Sequence, residues 1–309
     1  MTRALVIGEA LIDIVERDGQ ITGEHVGGSP LNVAVGLARL GRDVDFFTHI
    51  ADDPRGRRIS EYLGASGVAL VPGSTSARRT PSARASLDVT GAATYEFDID
   101  WQLSGTPEIS PPVVVHTGSI ATALDPGRLA VEALLDTYGV AATVTFDPNV
   151  RPALMQDSTL ARERIERIVE VSDIVKVSDE DLAWIAPDTE SVDLARRWLA
   201  MGPALVAVTM GGRGAFAVSA SGLVRVPARS VQVVDTVGAG DSFMSGLLDA
   251  LWSLDLLGAD RRDDVRRISP AHVEAVLEAA VLNAALTVAQ TGAVLPYRAT
   301  RDAALRSTS

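Results

Sequence analysis

Cysteine is absent from this chain, which excludes disulfides, thiolate nucleophiles and cysteine-based metal sites. Lysine occurs once, at Lys176, and it does not follow a glycine-rich loop, so a Walker-type phosphate loop is missing too. The net charge of -12 argues against a broad basic face for a nucleic-acid backbone. Aromatic residues make up only 5% of the chain, so its core must be built from Ala, Val, Leu and Ile. Such aliphatic runs suit parallel strands buried under helices. The histidines His25, His49, His116 and His272 lie far apart and in no metal-ligand spacing, which makes structural or exposed roles the expectation for each. No window reads as the ~18 apolar residues of a membrane span. The apolar run at 4–7 is too short for a signal-peptide core, and Glu9 and Asp13 follow at once. A soluble cytoplasmic protein with neither a membrane nor a nucleic-acid partner is expected.

The 309 residues are 47% apolar, ample for one large α/β core carrying a small accessory sheet. Residues 4–7 read as a buried strand. Alternation over 11–16 followed by Asp18-Gly19 signals a hairpin that stands off the main sheet. Gly27-Gly28-Ser29-Pro30 breaks the chain before a buried helix at 31–40, and 44–50 reads as a strand. Residues 82–89 and 94–99 alternate about Thr90-Gly91, an antiparallel pair with one polar face. From about 113 onward, strands (113–116, 142–146, 174–177, 204–209, 215–218) alternate with helices (127–138, 158–171, 179–185, 191–201), the pattern of a mostly parallel sheet covered on both faces. Long helices are expected at 242–257 and 270–290, with a frayed tail from 301.

The most informative stretch runs from Val231 through Asp235-Thr236-Val237-Gly238-Ala239-Gly240-Asp241 into a helix. It reads as strand, small-residue loop and helix start. Amides of Gly238, Ala239 and Gly240 can approach an anion closely while the helix turns its positive end toward it. A carboxylate such as Asp241 beside an anion hole is out of place for simple binding. It fits phosphoryl transfer, where a base must take the proton of the attacking hydroxyl. Taken alone, Asp241 could equally be a helix cap after a glycine turn. Gly27-Gly28-Ser29-Pro30-Leu31-Asn32 likewise reads either as a ligand cradle with Asn32 facing hydroxyls or as a glycine turn before a buried helix.

Together these segments resemble both sequence hallmarks of the ribokinase (PfkB) family of carbohydrate kinases, over roughly residues 4–297. The N-terminal hallmark departs at Ala51, where a glycine is expected. The resemblance implies a ribokinase-like α/β fold, a single domain over 1–309 with a central mostly parallel sheet flanked by helices. A small β-sheet lid, from segments at approximately 11–26 and 82–101, is inserted in it. It implies Asp241 as catalytic base and Gly238, Ala239 and Gly240 as anion hole. Asp13, Gly28 and Asn32 would contact the sugar, and Thr209, Gly211 and Gly214 the nucleotide. Asn283 would line the adenine pocket. Asp235 and Val237, with backbone near Thr291-Gly292, would hold a monovalent cation such as K+. ATP and Mg2+ are the implied cosubstrate and metal.

The family's Lys-x-Asn-x-x-Glu near magnesium and phosphates is here Lys176-Val177-Ser178-Asp179-Glu180-Asp181. Ser178 and Asp181 can still order water around Mg2+, with Glu180 as an alternative to Asp181 and a solvated helix start as the plain reading. Asp147-Pro148-Asn149-Val150-Arg151 is similar to the Asp-x-Asn-x-Arg of fructokinases and 2-keto-3-deoxygluconate kinases. Arg151 would hold substrate oxygens or pair with Asp147. Arg84 and Tyr95 on the lid could touch substrate, and lid strands that pair between subunits in this family make a homodimer conceivable. The implied reaction is transfer of the ATP γ-phosphate to a primary sugar hydroxyl, with fructose as first choice. 2-Keto-3-deoxygluconate, ribose or a nucleoside are alternatives, and a non-catalytic sugar or nucleotide sensor is the reading from another class. A nicotinamide-dependent oxidoreductase is disfavoured by Gly8-Glu9-Ala10 after the first strand.

Overall fold

The computed structural model describes residues 2–17, 19–87, 93–103, 105–155 and 157–306. The chain runs β1 (Arg3–Ile7), β2 (Leu11–Arg17), β3 (Gln20–Gly27), α1 (Ser29–Arg39), β4 (Asp43–Phe47), α2 (Pro54–Ala65), β5 (Val68–Leu70), β6 (Ser82–Leu87), β7 (Ala93–Asp98) and β8 (Val114–Gly118). It continues α3 (Gly127–Gly139), β9 (Thr143–Asp147), α4 (Ser158–Val171), β10 (Ile174–Ser178), α5 (Asp179–Ile185), α6 (Ser191–Met201), β11 (Leu205–Thr209), β12 (Ala215–Ser219) and β13 (Gly222–Val226). The last elements are α7 (Ala239–Ser253), α8 (Arg262–Arg266), α9 (Pro270–Val288) and α10 (Arg298–Arg306).

Nine strands form the main sheet in the order β13-β12-β11-β10-β9-β8-β1-β4-β5. Every pairing from β11 to β5 is parallel, and β12 and β13 add an antiparallel edge. The aliphatic strands are buried on both faces, as their composition demands. One face packs on α1, α7 and α9 through Leu31, Leu37, Phe243, Leu247 and Leu277. The other packs on α3, α4 and α6 through Val131, Leu134, Ile165 and Trp198. Chain order reverses at β1, which has β4 on one side and β8 on the other. A ligand crevice is expected outside the carboxyl ends of the strands at such a switch point, and the segments singled out in the sequence gather there.

The second sheet has the order β3-β2-β6-β7. Its two hairpins are the alternating segments read from the sequence, joined by parallel pairing of β2 with β6. The expected turns at Asp18 and at Thr90-Gly91 fall outside the described residues, and so does the side chain of Tyr95. Leu11 and Ala83 of this sheet pack on Ile120 of the body, while Arg55 and Arg58 of α2 bridge to Glu24 of β3.

Three expectations need correction. Residues 231–234 are not a strand, because the amides of Val234 and Asp235 donate to the carbonyl of Val288 at the end of α9 instead of to a neighbouring strand. The segment 298–306 is helical rather than frayed, with Arg301 buried and paired to Asp249 of α7. Helix α9 is long and apolar enough to cross a membrane by length and composition. Val273, Val276, Leu277 and Ala280 nonetheless lie in the core, so it packs as a central helix of the fold. Ala51, by contrast, is accommodated, since it is not among the residues with left-handed backbone that would require glycine.

Buried Asp249 also receives Arg42 at 2.6 Å and Arg298 at 3.3 Å. Asp249→Asn leaves these guanidinium groups without their counter-charge and should lower unfolding stability by about 3 kcal/mol. Denaturant titration checks this, and a loss below about 1 kcal/mol, the range of exposed pairs, would show that the cluster does not anchor α10.

Candidate active site

Two helix starts meet at the carboxyl edge of the sheet. Helix α7 begins after Gly238, whose backbone is left-handed (φ 75°). A Cβ at 238 would meet that of Ala293 at 2.6 Å, so conformation and space both require glycine. Helix α1 begins after Gly28 (φ 120°), where a Cβ would meet the Glu9 carbonyl oxygen at 2.5 Å. The helices approach through Gly36, where a Cβ would lie 2.5 Å from Ser245 Oγ. This contact brings the first turn of α1 against that of α7. Asp241 is buried there, with Ser29 Oγ donating to its Oδ1 at 2.6 Å and Asn32 Nδ2 to its Oδ2 at 2.8 Å. The carboxylate is thus held by charge-assisted bonds in one orientation. Ser29 escaped the sequence reading. The signal was its spacing, since residues 29 and 32 share one face of the first helical turn.

Behind the Gly238-Ala239-Gly240 loop lies a buried ion pair. Lys176 Nζ contacts Asp147 Oδ2 at 2.7 Å, and both side chains are almost wholly enclosed. A Cβ on Gly240 would stand 2.8 Å from this ammonium, so the bare glycine lets a positive charge sit against the loop. Burial opposes the charged form of Lys176, but the carboxylates of Asp147, Asp241 and Asp181 outweigh it and hold its pKa above the ordinary lysine value. Asp147 therefore serves Lys176 and not Arg151. Ser178 Oγ accepts from the Asp181 amide and caps α5, and Asp181 Oδ1 accepts from the Val150 amide at 3.1 Å. Burial, reinforced by Asp147, pushes the Asp181 carboxyl up. Glu180 is exposed, so of the two acidic residues at 180 and 181 it is Asp181 that influences Lys176.

Asp13 of β2, on the second sheet, and Arg151, after β9 of the main sheet, lie close enough to influence each other. A Cβ on Gly27 would fall 2.0 Å from Asp13 Oδ2, so this carboxylate packs on a glycine face. Asp13 stays exposed as a residue, yet desolvation by the groups packed around its carboxyl raises its pKa to about 6, against the lowering influence of Arg151 and His25. Arg151 Nη1 donates to the carbonyl and Oδ1 of Asn149. Arg84 of β6 is bridged to Glu16 of β2 at 2.5 Å within the second sheet, which engages it away from a free contact role.

On the other side of Asp241 a cavity of about 420 Å³ extends from Ala239 and Gly240 past Thr209, Gly211 and Gly214. Its apolar wall is Phe243, Val281, Ala284, Ala285 and Val288. Asn283 is not on that wall. Its side chain is fully buried against Gly246 of α7, where a Cβ would lie 2.9 Å from Nδ2. The 281, 284, 285, 288 stripe of α9 faces the cavity, and position 283 is turned between the helices.

Asp235 Oδ1 accepts from the Val237 amide at 3.0 Å and Oδ2 from the Gly292 amide at 2.8 Å. These donors hold its pKa below the usual carboxylate range and tie the loop before α7 to the 292 turn. The Val237 side chain is exposed, so only its backbone could serve a cation. Among the described residues no group of three or more His, Cys, Asp or Glu is arranged to hold a metal ion.

The family model for pfkB carbohydrate kinases matches residues 1–300. A fructokinase of Rhizobium leguminosarum bv. trifolii is 39% identical over 266 residues, covering 82% of this chain and 81% of that protein. A fructokinase of Klebsiella pneumoniae is 36% identical over 256 residues, covering 80% and 83%. Among solved structures, fructokinase from Vibrio cholerae O395 in its fructose-, ADP- and calcium-bound form is similar with a TM-score of 0.80, 28% identity and 98% of each chain covered. Xylella fastidiosa fructokinase with bound ATP shares the fold at a TM-score of 0.85 and 22% identity, over 100% of this chain and 99% of that one. The expected ribokinase-like architecture is thereby borne out.

Proposed function

This chain belongs to the pfkB family of carbohydrate kinases, and we propose that it transfers the γ-phosphate of ATP to the 6-hydroxyl of D-fructose. The observation that carries the reading is the place of Asp241. Its carboxylate is held by Ser29 and Asn32 at the start of α7, next in sequence to Ala239 and Gly240, which line the cavity with the apolar wall. The relatives named fructokinase, at up to 39% identity, support fructose as the acceptor.

In this mechanism Asp13, Gly28, Asn32 and Arg151 hold the sugar. The purine sits on the apolar wall, with the phosphates near Thr209, Gly211 and Gly214. Asp241 takes the proton of the acceptor hydroxyl as its oxygen forms a bond to the γ-phosphorus. The bond from that phosphorus to the bridging oxygen breaks, and ADP leaves. Amides of Gly238, Ala239 and Gly240, with the positive end of α7 and the ammonium of Lys176 behind them, stabilise the charge on the transferring group. The lid excludes water, so the alcohol and not water is the acceptor.

Asp147, Asp181 and Asp241 lie within electrostatic reach of a single Lys176, and a divalent cation beside them would favour the ionised forms that burial opposes at Asp147 and Asp181. Bound Mg2+ would neutralise phosphate charge, and Asp181, whose ionised form is disfavoured by burial and by Asp147, would hold it, with Ser178 beside it. K+ would fit the Asp235 and Val237 loop through backbone oxygens and the lone pairs that the Asp235 oxygens keep beside the amides they accept.

A coupled ADP-release screen across fructose, ribose, 2-keto-3-deoxygluconate, tagatose and adenosine tests the assignment. Fructose should give the highest kcat/KM. A better substrate among the others would move the specificity, and no ADP release with any would favour a sensor. The pH profile gives a second check. Above about pH 6 Asp13 is ionised and accepts from sugar hydroxyls, and below it the added proton removes that capacity. Sugar kcat/KM should therefore fall with an acid limb centred near 6, while a flat profile between about pH 5 and 7 would remove Asp13 from hydroxyl binding.

A further inference from the structure

Glu9 is a buried carboxylate that the transfer itself does not use. It follows β1 by two residues and is almost wholly enclosed. Its Oε2 accepts from the Ala121 amide at 3.2 Å. The Ser119 hydroxyl stands beside it and Arg151 faces it. Ser119 has a left-handed backbone (φ 56°), a conformation that a non-glycine residue keeps only where its surroundings hold it. Asn149, which fixes Arg151, is also left-handed (φ 38°). The turns after β1 and β8, and through Arg151 the turn after β9, therefore converge on one carboxyl group. Asp13 shares the influence of the same arginine, and the main-chain oxygen of Glu9 lies against Gly28.

Stability alone does not account for an acid in this place. Burial pushes the Glu9 pKa up to about 7. Between its unfolded value and 7 the folded chain binds more protons than the unfolded one, so stability falls as pH rises through that window, and the full cost is present above it. Costs of this kind are retained where function needs them.

We propose that Glu9 is a positioning residue for the acceptor, pinning the 119–121 turn and aiming Arg151 at the end of the sugar remote from the transferred phosphate. The proposal rests on the sugar-kinase reading above. Glu9→Gln keeps an acceptor for the Ala121 amide but loses the charge facing Arg151, and Glu9→Met loses both. The sugar KM should rise about tenfold in the first variant and further in the second, with the KM for ATP within about twofold of wild type. The melting temperature of Glu9→Gln at pH 8 should equal or exceed that of wild type. An unchanged sugar KM in the Gln and Met variants would overturn the proposal. A joint rise of both KM values with a lower melting temperature would also overturn it, as the mark of a structural residue. If wild type phosphorylates no sugar, the kinase reading falls and takes this inference with it. If wild type turns over while the variants match it, only the inference falls.

Discussion

Asp241→Asn lowers kcat by roughly a thousandfold, within the 10²–10⁴ range of general-base catalysis, and leaves the affinities for sugar and ATP nearly intact. The amide matches the carboxylate in size and still accepts from Ser29 or Asn32, which now hold Asp241 from both oxygens. It cannot take a proton from the acceptor hydroxyl, so the loss falls on the chemical step. Single-turnover rates beside equilibrium binding of each ligand separate the two quantities. Turnover within tenfold of wild type would remove Asp241 from the role of base, and loss of binding in parallel with rate would make it a structural cap.

Lys176→Met should produce the second largest effect, in two currencies that a double variant can separate. Asp147 is left buried and unpaired, and stability should fall by about 3–5 kcal/mol. The anion loop also loses the ammonium packed on Gly240, for which a fall in kcat of about a hundredfold is expected by analogy with removing one oxyanion donor. Lys176→Met with Asp147→Asn removes both charges and should regain most of the stability while leaving kcat low. The raised pKa of Lys176 keeps the ammonium charged through neutral pH, so the lysine's share of the pair's stability is lost as strongly alkaline solution removes that proton, while burial raises the Asp147 pKa and makes the pair sensitive to acid as well. If the double variant recovers stability and rate together, the pair is scaffolding and the loop works without it.

Local pattern carried much of the fold. Alternating strand and helix segments from 113 onward became β8 to β12 and α3 to α6 within a few residues, and the period-two stretches at 11–16 and 82–99 became strands of the separate sheet. The place of Gly238, Gly240 and Asp241 was legible because a small-residue loop marks the start of a helix, which became α7; whether Asp241 caps that helix or acts as a base was left open by the segment alone. The partners of Asp241 were harder to see. Ser29 and Asn32 lie 212 and 209 residues away, and the packing of α1 on α7, with Gly36 against Ser245, brings them in. The Lys176–Asp147 pair depends on β10 lying beside β9, an order that periodicity does not encode.

The misreadings have the same origin. Val231, Val233 and Val234 have strand propensity, yet all three are exposed, the first two at the cavity, because α9 supplies the carbonyl that receives the backbone. Arg301 looked like part of a charged tail until Asp249 on α7 appeared as its partner. Position 283 could not be assigned a face while the helix opposite was unknown. Tertiary context overrides local propensity in each case.

A crystal structure with fructose and a non-hydrolysable ATP analogue tests the account most directly. The acceptor hydroxyl should lie about 2.6–3.2 Å from an Asp241 carboxylate oxygen, with its own oxygen about 3–3.5 Å from the γ-phosphorus. A hydroxyl hydrogen-bonded to another side chain, with Asp241 still committed only to Ser29 and Asn32, would contradict it.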